Sequence, residues 1–290
     1  MPTSRSTAGT TGARLLPDWS FEMTGKDVAS LQAAAPGIPA GTRVNVTFLG
    51  NEDLPMRVAA ARAVVEAGLT PVPHLSARRL RSPDELDEFL DALGEVGATR
   101  AVFAVGGDPA EPMGPFSDSL ELIESGALQR HGVEQVAVAG YPEGHPDIPD
   151  AELWRVLDGK HRAAADAGLE LSLITQFGFD PAAVLNWLEQ VRARGIDQRV
   201  RIGVPGPAGV KRLLAFAGRF GIASSAAIVK KYGFSLTNLV GTAGPERFLD
   251  RLADGLDPAV HGDVALHFYA FGGIEATSEW ITRYSAAASA

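Results

Sequence analysis

Glu22, Thr47, His74, Asp108, Tyr141, Glu143, His145, Gln176 and Tyr269 each end or follow a short apolar run. Carboxyls, imidazoles, phenols and an amide can move protons and hold a polar ligand by hydrogen bonds. Gln176 closes the run Leu171-Ser172-Leu173-Ile174-Thr175 and precedes Asp180-Pro181, an N-cap with proline at the first helical position. A neutral amide at such a junction both donates and accepts hydrogen bonds. Structural uses compete at each position: Gln176 could satisfy loop backbone, Glu22 could pair with a neighbouring cation, and Asp108 could cap the turn after Gly106-Gly107. His74, Glu143 and His145 lack close ligand spacing, so no metal is assigned. There is no GxSxG nucleophile motif.

The elements that must position these residues alternate. Strand-like runs end at Glu22, Phe48, His74, Val105, Ala139, Thr175, Val204 and Tyr269. Helical stretches are expected over 24–34, 54–67, from Ser82-Pro83-Asp84-Glu85 onward, 118–125, 150–167, 181–194, from Pro207 through Phe220, 245–255 and 274–284. An insertion, 223–242, interrupts the alternation. Eight strands alternating with helices predict a single α/β domain, a (β/α)₈ TIM barrel over residues 14–284, flanked by mobile tails at 1–13 and 285–290. An open doubly wound sheet is the alternative, weakened because no strand-helix turn carries GxGxxG. In the barrel, all of the polar strand-end residues share one rim.

At 290 residues the chain has room for such a barrel, and a hydrophobic fraction of 46% supports a sizeable core. A net charge of −9 with no basic stripe argues against a nucleic-acid partner. No apolar run reaches the roughly 18 residues of a membrane span, so no membrane partner is expected. The absence of cysteine excludes disulfides and thiolate metal sites and fits a cytoplasmic protein.

Ser20-Phe21-Glu22, Pro73-His74-Leu75-Ser76, Gly107-Asp108, Tyr141-Pro142-Glu143-Gly144-His145-Pro146, Ile174-Thr175-Gln176-Phe177-Gly178-Phe179-Asp180 and His267-Phe268-Tyr269 occur in one order along the chain. Together they resemble the catalytic barrel of methylenetetrahydrofolate reductases, over about Leu16 to Trp280. The resemblance implies reduction of 5,10-methylenetetrahydrofolate to 5-methyltetrahydrofolate by NADH or NADPH. It makes Glu22 the general acid, its pKa raised by burial beside Trp19 and Phe21. It places Asp108 and Gln176 on the pterin and Phe216, by a gapped match, as a stacking ring. Tyr141, His74 and Thr47 complete the substrate side, with His145, Glu143 and Tyr269 facing the cofactor.

FAD carries the hydride in most of this family, and here the flavin contacts depart from the pattern. The arginine before Gly-Asp becomes Gly106, the loop tyrosine Phe116, the helical Asp and Asn Leu157 and Lys160, and the Arg-Lys pair Ala163-Ala164. Cations facing a pyrophosphate contribute about 1.5–3 kcal/mol each. Their loss makes FAD doubtful and implies direct hydride transfer, as in the flavin-free members. Lys160, His161 and Arg162 could compensate if the helix were shifted in register. A folate-binding protein without redox chemistry is the alternative from another class; retention of Glu22 argues against it. A Schiff-base aldolase lacks support, because no lysine ends a strand.

Overall fold

A computed structural model of the chain describes residues 11–219 and 242–288. Strands β1 (Ser20–Met23), β2 (Arg43–Val46), β3 (Thr70–Ser76), β4 (Ala101–Val105), β5 (Gln135–Gly140), β6 (Glu170–Thr175), β7 (Val200–Pro205) and β10 (Val264–Tyr269) form a closed barrel. Every neighbouring pair is parallel, and the ring closes where Ser20 pairs with His267 and Phe21 with Phe268. The chain is therefore a (β/α)₈ barrel. A short antiparallel pair, β8 (Ala208–Gly209) and β9 (Thr242–Ala243), lies outside the ring and was not expected. The expected insertion at 223–242 falls almost wholly outside the described residues.

The intervening helices are α1 (Val28–Ala34), α2 (Leu54–Glu66), α3 (Pro83–Glu95), α4 (Ser119–Glu124), α5 (Ala127–Arg130), α6 (Asp150–Asp166), α7 (Pro181–Ala193), α8 (Val210–Arg219), α9 (Glu246–Gly255), α10 (Pro258–His261) and α11 (Ile274–Ala288). Their starts follow from local chemistry. Asp53, Ser82 and Asp180 each accept a backbone N–H of the first turn, and each is followed within two residues by proline. Thr24 to Asp27, expected as the first turn of α1, instead closes on itself. Asp27 Oδ2 accepts from Thr24 N and Oγ1 at 2.8 and 2.7 Å. At the chain's edges, Thr11–Leu15 forms a 3₁₀ turn where a tail was expected, with Gly12 N donating to Asp250 Oδ1, and α11 runs to Ala288.

Strand alternation sends Phe21, Met23, Val44, Val46, Leu75 and Phe268 outward into the layer beneath the helices. The inward residues divide the barrel's interior. Val72, Ala101, Phe103, Ala137 and Ile174 pack as one apolar wall. Ser20, Asn45, His74, Arg201 and His267 are buried and polar on the opposite side. The end of the barrel at the strand N-termini is plugged by charge. Asp18 accepts from Arg201 through its carbonyl and carboxylate at 2.6 and 2.8 Å and also from Arg199, which reaches Asp263 at 2.6 Å. Beside it Arg43 donates to Gln135, which donates to Glu170 at 2.7 Å.

Candidate active site at the C-terminal rim

Glu22 projects into the open end of the barrel. It is partly exposed there, yet surrounded closely enough that burial raises its pKa from 4.5 to about 7. Its carboxyl has no hydrogen-bond or ion-pair partner among the described residues, so no cation among them pairs with it. Phe21 faces the outer layer, where its ring lies 5.6 Å from Trp19. Tyr269 senses the Glu22 charge and the Tyr141 phenol, and burial first, then those two neighbours, hold its ionisation well above 10.

Beneath Glu22 lie two neutral histidines. Ser20 Oγ is 2.9 Å from His267 Nδ1, and His267 Nε2 is buried without a partner. His74 Nε2 is 3.3 Å from Asn45 Nδ2, and its ring meets Phe103 edge-on at 4.7 Å. Burial lowers His74 to about 3 and His267 well below the ordinary imidazole value. Neither carries charge at neutral pH. Thr47, expected on the substrate side, is buried with its Oγ1 unpartnered, as is Ser76 Oγ. His267, Ser20 and Asn45 were absent from the expected site residues; the inward alternation of β1, β2 and β10 is the signal that would have found them.

The rim above is held apart between β6 and β7. Gly203 N donates to Thr175 Oγ1 at 2.8 Å, so a side chain replaces the next ladder bond. A Cβ at Gly203 would stand 2.3 Å from the Thr175 carbonyl oxygen. That same carbonyl accepts from Tyr269 Oη at 3.1 Å. Gln176 follows, its Oε1 accepting Phe177 N at 3.0 Å while its Nε2 has no partner among the described residues. The loop alternative thus accounts for one half of the amide.

Glu143, expected to face the cofactor, is turned to another task. Its Oε1 accepts Phe179 N and Asp180 N at 2.6 and 2.9 Å, tying the loop after β5 to the start of α7. Tyr141 is half-buried, its phenol raised by burial, and His145 meets it edge-on at 5.4 Å while accepting Asp147 N. Asp108 is exposed and ion-paired with Arg79, and Gly107 before it has φ +98° with no room for a Cβ against Ser76 Oγ. Arg79 engages one carboxylate oxygen of Asp108, and the other has no partner among the described residues. The Phe216 side chain lies outside the described residues. Among the described residues no group of three or more metal-ligating side chains gathers.

Beside the mouth, and sharing Tyr141 with it, a cleft of about 580 Å³ opens against α6 and α7. Gly106, Leu157 and Lys160 line it. Phe116 is buried in the core, Ala164 is fully buried, and Ala163 and Arg162 face the groove against α4 instead. Of the three basic residues that could have compensated, Lys160 alone lines the cleft. The cleft thus offers Lys160 and the edge of Arg78 where a resident FAD would meet more cations. This donor set does not fit a tightly held flavin.

A model of the family described as methylenetetrahydrofolate reductase matches residues 34–283. A 5,10-methylenetetrahydrofolate reductase of Pectobacterium carotovorum subsp. carotovorum is 31% identical over 150 residues, 52% of this chain and 48% of that protein. Methylenetetrahydrofolate reductase 2 of Saccharomyces cerevisiae is 29% identical over 154 residues, 51% of this chain and 25% of that protein. The methylenetetrahydrofolate reductase (NADH) 1 of Arabidopsis thaliana is 26% identical over 148 residues, 47% and 25% of the two chains. The matches thus span from a quarter to about half the length of these relatives. A solved structure of an uncharacterized Clostridium thermocellum protein, described as binding two copies of 5-methyl-5,6,7,8-tetrahydrofolic acid, shares the fold at a TM-score of 0.64 and 12% identity, over 96% of this chain and 98% of that one.

Proposed function

The chain belongs to the methylenetetrahydrofolate reductase family, and from that membership we propose that it reduces 5,10-methylenetetrahydrofolate to 5-methyltetrahydrofolate with NADH or NADPH, hydride passing directly to the folate. The observation that carries this reading is Glu22: an unpaired carboxyl at the barrel mouth, neutral up to about pH 7. A binding protein has no use for a proton held there. A reductase does.

In the proposed reaction the Glu22 O–H gives its proton to N10 as the bond from N10 to the bridging carbon breaks. The electron pair of that bond stays on N10, and the N5 iminium left behind accepts hydride from the nicotinamide. Glu22 is left as a carboxylate and regains a proton from solvent. The groups around it do not compete for that proton. Burial leaves His74 and His267 too weakly basic to take it, and Tyr269 and Tyr141 remain phenols. Gln176 Nε2 offers the pterin a neutral donor at the strand end. Direct transfer requires the nicotinamide and the iminium carbon face to face over the mouth, which positioning alone makes productive.

The test is anaerobic NADH oxidation driven by methylenetetrahydrofolate, with protein stripped of flavin and none added. Turnover is the expected result. Turnover only after FAD is added would keep the reaction and overturn the direct route. No turnover with either nucleotide in either condition would overturn the reductase in favour of a folate-binding protein.

A further inference from the structure

Two cations line the cleft beside the mouth, Lys160 and Arg78, and Arg78 also donates through Nη2 to the Ala110 carbonyl. Lys160 is 8% exposed, and its ammonium has no hydrogen-bond or ion-pair partner among the described residues. Its nearest opposing charge is Asp118, whose Oδ1 is already accepting Leu120 N and Glu121 N. Arg78 lines the same cleft, and its Nε is buried and unpartnered. An ammonium desolvated at a cleft wall, with no ion pair among the described residues, favours an anionic ligand in that cleft. Next to Lys160 the cleft presents the free side-chain amide of Asn186 and the Trp187 ring, which packs on Gly140. Tyr141 joins this cleft to the mouth.

We propose that this cleft takes the diphosphate and adenosine half of the nicotinamide dinucleotide, with Lys160 and Arg78 meeting the phosphates and the nicotinamide reaching past Tyr141 to the mouth. The assignment rests on the reading of the mouth as a site of hydride transfer to folate. The number of cations sets the kind of occupancy. Asp150 and Glu152 also line the cleft and offset them, although Glu152 is engaged by Arg155 at 2.6 and 2.7 Å. One or two phosphate contacts suit a dinucleotide that arrives and leaves at each turnover, whereas a resident prosthetic group needs affinity roughly a thousandfold higher.

The experiment is calorimetric titration of ADP-ribose, reduced nicotinamide mononucleotide, FAD, and mono- and pentaglutamyl 5-methyltetrahydrofolate into wild type, Lys160→Gln and Asn186→Trp. The wild type should bind ADP-ribose. Lys160→Gln should weaken that binding about tenfold or more, and Asn186→Trp should block it by bulk. Both should leave the mononucleotide unchanged. No ADP-ribose binding by wild type, or equal binding by Lys160→Gln, would overturn the assignment. So would a loss confined to the pentaglutamyl folate, or FAD bound far more tightly than ADP-ribose through Lys160. Folate turnover separates the two readings. ADP-ribose bound through Lys160 without folate reduction sinks the reaction and keeps the cleft. Folate reduction with ADP-ribose affinity indifferent to Lys160 does the reverse.

Discussion

Replacing Glu22 by Gln removes the ionisable proton while keeping the size of the side chain, and two measurements should respond with opposite sign. Raising the pKa from 4.5 to about 7 means that the folded state binds more protons than the unfolded chain across that window. The stability contributed by the neutral carboxyl is therefore fully present below about pH 4.5 and is lost as pH rises to 7. One pKa unit is about 1.36 kcal/mol, so the full loss is at most about 3 kcal/mol, an upper bound because Glu22 is partly exposed. Glu22→Gln escapes this loss. In urea titrations its stability relative to wild type should rise by about 2 kcal/mol between pH 5.5 and 8.5. Over the same range kcat/KM of wild type should fall about tenfold per pH unit above 7, and the variant should lose about 10²–10⁴-fold at its optimum. A stability difference that does not change with pH, or one that shrinks as pH rises, would refute the raised ionisation. Near-wild-type turnover would refute the acid role.

The remaining predictions bear on the rim. Gln176→Ala should weaken 5-methyltetrahydrofolate binding about tenfold, as loss of a ligand hydrogen bond with its partner left buried would, while ADP-ribose affinity is unchanged; calorimetry with both ligands reads the difference. Gly203→Ala places a Cβ against the Thr175 carbonyl oxygen, so the β6–β7 splay must shift. Its urea midpoint should fall by the equivalent of about 1–3 kcal/mol, and an unchanged midpoint would mean that the close approach is not enforced.

The fold was legible because each element announces itself locally. Ser82-Pro83 and Asp180-Pro181 start helices where caps and proline demand it, and Val264 to Tyr269 reads as a buried strand from its apolar run. Glu22, Tyr141, Gln176 and Tyr269 were legible as rim residues because a strand end fixes which way the following residue is carried. Pairings across loops were not. The tie of Asp108 to Arg79, and of Glu143 to the amides of Phe179 and Asp180, depends on loop paths that no spacing rule encodes. Lys160 was read as one of three cations on one helix. Only the helix's rotation against β5 decides that it faces the cleft while Arg162 faces away. Burial of Glu22 was anticipated from Trp19 and Phe21, and alternation along β1 sends Phe21 to the opposite face.

The ionic plug around Asp18 makes the barrel a well with one opening. Glu22 stands near the lip with no hydrogen-bond partner among the described residues to hand it a proton, and the imidazoles below it stay neutral. Once a folate covers the lip, the acid is a cartridge holding a single charge. It can be spent while the substrate is in place but reloaded only after the product has left. Release and recharging are then one event, and solvent deuterium should slow the interval between turnovers more than the hydride step within each.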